Sequence, residues 1–285
     1  MPDPISADTT DIEPTLLDPH GPALRQVKGW FRLADRRLFE WFLERQQARG
    51  QHGELVEVGA FEGKSAILIG AYLGEGETLT VVDLFERSAG DDANSQENQR
   101  SYKNLTQQAF ESNYLKFHAE LPTVHAGPSS DVADLVTPGS VRFLHIDASH
   151  LYAHVAVDID IARTLLQPDG VVVLDDYRSA HTPGVAAAVW EGVLNKGMRP
   201  ICVSKSKMYA TWSDPTEVQD DLIAWLSKRP RTTVRIEEIA GRRVVRCVLR
   251  PRRPAGQRRG RAPQAATPTS ALGRLRLRLT GSSRR

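Results

Sequence analysis

Short apolar runs alternate with helical patterns through the middle of the chain. The runs are 54–60 (ELVEVGA), 78–84 (TLTVVDL), 141–147 (VRFLHID) and 170–177 (GVVVLDDY). Near-continuous apolar runs of this length are typical of parallel strands buried on both faces. Between the last two runs, Val155, Ile159, Ala162 and Leu166 fall on one helical face. The alternation predicts an α/β fold with a mostly parallel sheet.

Further elements are predicted on both sides of this region. A helix within 29–50, with an apolar face around Phe39 and Phe42, is expected to end at Gly50. Packing on the sheet edge is its favoured role, and a lid over a pocket is the alternative because Trp30 and Phe31 lie just upstream. The segments after Tyr177 predict a helix, two strands, a second helix and a hairpin, at 183–196, 199–204, 207–212, 214–226 and 233–249.

Charge is distributed unevenly along the 285 residues. The net charge is +2, yet residues 250–285 hold eleven arginines and no acid, which leaves −9 for residues 1–249. This composition predicts a disordered Arg-rich tail over 250–285. The other expected divisions are a flexible leader at 1–22, a main domain at 23–228 and a hairpin appendix at 229–249.

The cellular setting is predicted from what the sequence contains. Cys202 and Cys247 are too few for a disulfide framework, which favours a reducing compartment. The N-terminal residues are acidic and proline-rich, unlike a secretory signal, and we find no apolar run of membrane-spanning length. We therefore expect a cytoplasmic protein with no membrane partner.

A glycine turn follows the first predicted strand and leads into a helix. Gly59 and Gly63 in this turn would let a cofactor approach the backbone closely. Asp83 ends the next strand, where an acid can accept both ribose hydroxyls of a nucleoside. The spacing does not match the dinucleotide or Walker patterns, and the Glu57 carboxylate would repel a pyrophosphate. These residues favour a cationic nucleoside cofactor such as S-adenosylmethionine.

Three carboxylates end neighbouring predicted strands. Asp147, Asp175 and Asp176 would meet at the carboxyl edge of the sheet and would repel one another unless a cation neutralised them. Oxygen ligands of this kind suit Mg²⁺, which could bind and activate a substrate hydroxyl. A capping role for Asp175 and Asp176 is the alternative. His150 could act as a general base or be an ordinary loop residue.

The order VEVGAFEGKS, VVDLF, HIDASHLY and PDGVVVLDDY resembles the class I S-adenosylmethionine-dependent methyltransferases, over roughly 54–212. It is most similar to their metal-dependent O-methyltransferase branch, which includes macrocin-type and catechol-type enzymes. The resemblance implies a doubly wound, mostly parallel, seven-stranded Rossmann-like sheet, here with an N-terminal helix and a C-terminal helix and hairpin. Phe61 departs from the pattern, since many class I enzymes have glycine at this place in the turn.

The resemblance also implies roles for individual residues. Those expected at the cofactor are Glu57, Gly59, Phe61, Gly63, Ser65, Asp83, Ser129 and Asp147. Glu57 would hold the turn or a water near the amino group, and Ser129 would border the adenine. The metal positions are Asp147, Asp175 and Asp176, and the catalytic positions are Asp147 and His150. Residues farther along the same edge could line the substrate pocket, namely Tyr152, Tyr177 and His181.

The favoured function is O-methylation of a hydroxyl on a sugar or another small molecule, with S-adenosylmethionine and Mg²⁺. One alternative is a metal-independent methyltransferase with a nucleic-acid or other acceptor, which the basic tail favours and the acidic body opposes. The second alternative is a non-catalytic protein that keeps the cofactor fold. Nucleic acid is therefore an unfavoured partner, and self-association stays open.

Overall fold

A nine-stranded mixed sheet forms the centre of the protein, in a computed structural model that describes residues 21–87, 105–230 and 232–249. The strand order is β3-β2-β1-β4-β5-β7-β6-β9-β8. The strands are β1 (Glu54–Val58), β2 (Leu79–Asp83), β3 (Thr123–Ala126), β4 (Val141–Ile146), β5 (Leu166–Leu174), β6 (Arg199–Val203), β7 (Met208–Thr211), β8 (Thr232–Ile239) and β9 (Arg242–Leu249). The predicted tail at 250–285 and nearly all of the leader at 1–22 lie outside the described residues.

Eight α-helices lie among the described residues. They are α1 (Gly21–Leu24), α2 (Leu33–Ala48), α3 (Lys64–Gly70), α4 (Gln107–Tyr114), α5 (Val132–Leu135), α6 (Tyr152–Leu165), α7 (Pro183–Asn195) and α8 (Thr216–Ser227). A 3-10 turn at Ser129–Asp131 precedes α5. No helix in these parts of the chain is both long and apolar enough to cross a bilayer.

The first five strands pair in parallel, and β7 runs antiparallel between β5 and β6. Helices cover both faces. Phe39 of α2, Ile67 of α3 and Leu222 of α8 are buried on one face, and Ile159 of α6 and Val189 of α7 are buried on the other. This is the doubly wound α/β arrangement that the alternating pattern predicted, so the α/β class is confirmed.

The strand count differs from the expected seven. The C-terminal hairpin is not a separate appendix, because β9 pairs in parallel with β6 at Cys202↔Val245 and Val203↔Arg246. The pairing gives hydrogen-bond partners to backbone groups at the edge of β6, which would otherwise be an open strand edge. The contact is between strands about forty residues apart in sequence, so no local pattern indicated it.

Helix α2 packs on the sheet, as favoured above. The Phe39 ring meets Phe143 and His145 edge-on, with centroid distances of 5.1 and 5.0 Å. Tyr209 Oη donates to the buried Asp35 Oδ1 at 3.0 Å. The chain just before α2, residues 28–32, instead lines the cavity described below. The helix is therefore structural, while the segment that leads into it reaches the candidate site.

Candidate active site

One cavity of about 730 Å³ lies at the carboxyl ends of β1, β2, β4 and β5. Ten of the fourteen predicted site residues line it: Gly59, Phe61, Ser65, Asp83, Ser129, Asp147, His150, Asp175, Asp176 and His181. We call the region of Gly59, Phe61 and Asp83 the turn end. The region of Asp147, Asp175, Asp176 and Lys207 is the acid end. The volume falls within the range of about 300 to 1,000 Å³ that small-molecule sites have.

The turn end depends on backbone conformations that suit glycine. Gly59 has φ +85°, and a Cβ there would lie 2.0 Å from the carbonyl oxygen of Asp147. Gly63 has φ +93°, and a Cβ there would lie 3.0 Å from the Phe110 ring. Phe61 also has a positive φ, 50°, although it is not glycine. The close approach at Gly59 places the backbone of Asp147 directly against the turn.

Asp83 fixes this turn with its side chain. Its Oδ2 accepts hydrogen bonds from the amides of Ala60 and Phe61 at 2.7 and 2.9 Å, and its Oδ1 accepts from Phe85 at 2.8 Å. Burial raises the pKa of Asp83, although these three amides oppose the shift. A carboxylate offers about four lone-pair positions. Asp83 therefore holds the turn and still has acceptor capacity on its cavity side.

Glu57 does not line the cavity, although the sequence placed it at the cofactor. It is fully buried, and its Oε1 accepts from the Ser65 hydroxyl and from His145 Nδ1, the latter at 3.1 Å. Burial raises the pKa of Glu57 to about 8, with the Ser65 hydrogen bond and the charge of Lys207 opposing the shift. Its contact with the cavity is therefore indirect, through Ser65. Gly63 is likewise not among the residues that line the cavity.

His145 connects Glu57 to Lys207. Its Nε2 lies 2.8 Å from the Lys207 ammonium, which has donors only. Nε2 must therefore accept, so the ring proton is on Nδ1 and is donated to Glu57. Burial, and then the charge of Lys207, lowers the pKa of His145 well below its ordinary value. His145 is thus a neutral, buried histidine with a partner at each ring nitrogen.

Lys207 is the residue of the acid end that the sequence analysis missed. Its side chain is 2% exposed, and its Nζ lies 2.5 Å from Asp175 Oδ2 and 3.7 Å from Asp147 Oδ2. Burial lowers the pKa of Lys207, but the two carboxylates outweigh this effect and raise it above its usual range. Lys207 is therefore an ammonium ion at neutral pH. It ends a polar turn, KSK, immediately before strand β7, and such a lysine ordinarily points to solvent.

The two carboxyls beside Lys207 differ in their environments. Burial, followed by the charge of Asp175, raises the pKa of Asp147 well above its ordinary value. Burial also raises the pKa of Asp175, but Lys207 and the hydrogen bond with Asp147 outweigh it, so the net shift is downward. Asp175 is therefore the anion of the pair, and Asp147 is the carboxyl that takes up a proton more readily.

His150 and Asp176 form a second pair at the acid end. His150 Nε2 lies 3.4 Å from Asp176 Oδ2, and Ser179 Oγ donates to Asp176 Oδ1 at 2.5 Å. The hydrogen bond with His150 is the main reason that the pKa of Asp176 is lowered to about 2. His181 approaches His150 edge-on, with centroids 6.1 Å apart. The predicted His150 therefore has a carboxylate beside it that can orient its ring.

Two predicted pocket residues lie elsewhere. Tyr152 is 46% exposed, and its hydroxyl donates to Glu191 Oε2 at 2.5 Å on the surface. Tyr177 is buried in the core on the α6–α7 face of the sheet. Neither residue lines the cavity, so this part of the prediction is corrected. The segment 28–32, with Trp30 and Phe31, occupies part of the wall instead.

The acid end fits Mg²⁺ in its donor atoms but not in its charge. His145, Asp147 and Asp175 each offer a ligand atom within 4.8 Å of the others. Hard carboxylate oxygens are the ligands that Mg²⁺ prefers. Asp175 and His145, however, are both bound by the Lys207 ammonium, and Asp176 is bound by His150 and Ser179. With Lys207 in this position, a divalent ion would meet a fixed positive charge.

Comparison with known families agrees with this geometry. A family model described as a methyltransferase domain matches residues 56–177, which include the glycine turn, Asp83 and the three carboxylates. The chain therefore carries a methyltransferase domain over these residues. Lys207 lies outside the matched segment of the methyltransferase.

The protein is also similar to solved structures of O-methyltransferases. The O-methyltransferase NovP is 18% identical, with 63% of this chain and 81% of NovP covered and a TM-score of 0.51. CalS11, described as a TDP-rhamnose 3'-O-methyltransferase of calicheamicin biosynthesis, is 15% identical, with coverage of 64% and 82% and a TM-score of 0.44. The NovP likeness supports the fold. A comparison with curated proteins gives no match.

Proposed function

We propose that the methyltransferase transfers the methyl group of S-adenosylmethionine to a hydroxyl oxygen of a small molecule. The observation that carries this proposal is that the turn end and the acid end share one cavity and touch at Gly59 and Asp147. A methyl acceptor at the acid end would therefore lie beside a cofactor at the turn end. Holding the two reactants in line at short distance supplies much of the rate of such a transfer.

The cofactor would lie along the turn end. The left-handed Gly59 leaves no side chain between the β1–α3 turn and the cavity, so the methionine part could approach the backbone. The acceptor position that remains on Asp83 suits one ribose hydroxyl. Ser129 lines the cavity as well and would border the adenine, as the family resemblance implied.

The acceptor would lie against Asp147 and His150. When bound, S-adenosylmethionine would supply a methyl group on sulfur, which the acceptor oxygen would take with loss of the C–S bond, leaving S-adenosylhomocysteine. The hydroxyl proton passes to His150, whose ring Asp176 orients and whose positive charge Asp176 then stabilises. A sugar or another hydroxylated metabolite suits a cavity of about 730 Å³.

The magnesium ion expected from the sequence stays a prediction. Asp147, Asp175 and Asp176 would hold it, and a bound ion would lower the pKa of an acceptor hydroxyl. The donor atoms support this role, while the contact of Lys207 with Asp175 opposes it. Turnover measured with and without a chelator tests the requirement directly.

The proposed function is tested by binding first and then by transfer. Calorimetry should detect S-adenosylhomocysteine binding to the full chain, and labelled S-adenosylmethionine should then identify an acceptor among hydroxylated metabolites. With that acceptor, His150→Gln should lower kcat by about 10² to 10⁴, because it removes the general base. Binding of S-adenosylhomocysteine should be retained.

Tyr152→Phe is the matched control, since Tyr152 lies outside the cavity and should leave kcat nearly unchanged. Two results would contradict the proposal. One is the absence of any heat with S-adenosylhomocysteine, and the other is full turnover by His150→Gln.

A further inference from the structure

Lys207 is held rigidly at the acid end. Its backbone amide donates to Ser204 Oγ at 3.0 Å, and its carbonyl accepts from the Ser204 amide at 2.9 Å, which closes the turn before β7. Its Nζ lies 5.9 Å from the ring centroids of both Phe31 and Phe39. A lysine packed in this way, with 2% of its side chain exposed, is a fixed charge rather than a mobile surface group.

Several charged and titratable groups face this ammonium from different elements. Asp175 lies at the end of β5, Asp147 at the end of β4, and Asp35 on α2. His145 of β4 accepts one of its N–H groups and relays the contact to Glu57 of β1. Asp176 is engaged with His150 instead. Lys207 is therefore the cation that balances the Asp147–Asp175 pair.

We propose that Lys207 is a resident cation at the acid end, which takes the place of a divalent metal ion beside Asp147 and Asp175. An ammonium has three donors. Asp175 and His145 take two of them, and the third is available to Asp147 or to an acceptor oxygen in the cavity that Lys207 lines. Beside an acceptor hydroxyl, this charge favours the ionised oxygen, as a metal would.

The role of Lys207 beside an acceptor hydroxyl rests on the proposed function, because that function brings the acceptor to the acid end. Its consequence for metal binding is independent of turnover. A divalent ion would have to displace Lys207 from Asp175 or accept its repulsion at close range. The wild-type acid end should therefore bind divalent metal weakly, and removal of the lysine charge should create a metal site.

The experiment measures Mn²⁺ binding to the full chain by electron paramagnetic resonance, with S-adenosylhomocysteine present and absent. Wild-type protein should bind Mn²⁺ no more tightly than Asp175→Asn does. Lys207→Met, which keeps the length of the side chain, should bind Mn²⁺ at least about tenfold more tightly than wild type. Lys207→Arg keeps the positive charge and should resemble wild type.

Lys205→Met is the matched control for metal binding. Lys205 lies in the same turn and lines the cavity, but it is exposed, and none of the described ion pairs involves it. It should leave Mn²⁺ binding unchanged. Equal gains in Lys205→Met and Lys207→Met would show a general charge effect and would overturn the proposal.

If Lys207→Met fails to fold, Mn²⁺ binding by the wild-type protein still tests the proposal about Lys207. Saturable Mn²⁺ binding by the wild type that Asp147→Asn or Asp175→Asn abolishes would mean that the metal binds with Lys207 in place. Calorimetry with S-adenosylhomocysteine on the same samples keeps the two proposals apart. Loss of cofactor binding would count against the methyltransferase site, whereas a metal-binding wild type would count against Lys207 alone.

Discussion

Backbone amides make the polar contacts at the turn end, whereas charged side chains make them at the acid end. Asp83 accepts from three amides, all between Ala60 and Phe85. Lys207 contacts Asp175 and His145, which are 32 and 62 residues away in sequence. The turn end is therefore shaped by local conformation, and the acid end by charges that the fold brings together. Substitutions that add volume should therefore destabilise the turn end, and substitutions that change charge should destabilise the acid end.

The largest effect should come from adding a methyl group at the turn end. In Gly59→Ala the new Cβ would lie 2.0 Å from the Asp147 carbonyl oxygen, at a φ of +85° that alanine rarely adopts. Strand β1 would have to move away from β4, so we expect a loss of about 3 kcal/mol or more in unfolding free energy. Chemical denaturation measures this.

Gly76→Ala is the control for backbone strain alone. Gly76 has φ +76°, but no atom lies within 4 Å of its Cβ position. Gly76→Ala should lower the unfolding free energy by only about 1 kcal/mol. If both variants lost the same amount, the close approach at Gly59 would be irrelevant to stability.

A charge change at the acid end should rank second. Asp175→Asn removes the nearest anion from the buried Lys207 ammonium, so unfolding free energy should fall by about 3 kcal/mol. Combining it with Lys207→Met should recover part of the loss, because the uncompensated charge is then gone. Denaturation of the two single variants and the double variant forms the cycle.

The exposed pair of Arg243 and Asp220, at 2.8 Å, supplies the comparison for Asp175. Asp220→Asn should cost less than about 0.5 kcal/mol, because solvent screens that pair. A strictly additive cycle at Lys207 and Asp175 would mean that the two groups do not stabilise each other.

The smallest effect is a pH dependence at Glu57, which lies between the two ends. Its folded pKa of about 8 exceeds the ordinary 4.5, so the folded state holds the proton more strongly between these values. Its contribution to stability is present below pH 4.5 and is lost as the pH rises through about 8. Glu57→Gln cannot titrate and should not show this loss.

Relative to Glu57→Gln, wild-type protein should therefore lose stability, on the order of 2 kcal/mol, between about pH 6.5 and about pH 8.5. Glu86→Gln is the control, since Glu86 is exposed and its pKa is lowered by the hydrogen bond from the Gln107 amide. Wild type and Glu86→Gln should stay parallel over this range. If the unfolding free energies of Glu57→Gln and the wild type changed equally with pH, Glu57 would keep an ordinary pKa in the folded protein.

Local patterns were enough to predict the turn end. The strand, the glycine turn, helix α3 and Asp83 follow one another within thirty residues, and each has its own local signal. The carboxylates at the ends of β4 and β5 could be predicted for the same reason, since parallel strands bring their carboxyl ends to one edge. Glu57 was placed in the right strand, but its burial behind Ser65 has no signal in spacing alone.

Long-range contacts account for what was missed. Lys207 immediately precedes β7, which pairs antiparallel with β5, and only that pairing sets it against Asp175. Tyr152 and Tyr177 follow the correct strand ends, but the helix start and the core direct them away from the cavity. A lysine at the head of an apolar strand, beside strands that end in acids, is the signal that could have indicated the acid-end cation.

The parallel contact between β6 and β9 affects how the gene could be shortened. Gln219 reaches across it, donating to the carbonyls of Pro200 and Ile201 in β6 and of Arg243 in β9. A fragment that stops after Ser227 would keep every residue that lines the cavity. It would, however, expose Cys202 and leave the edge of β6 without a hydrogen-bonding partner. Such a fragment should aggregate or dimerise through this edge, so a C-terminal truncation should retain the residues through Leu249.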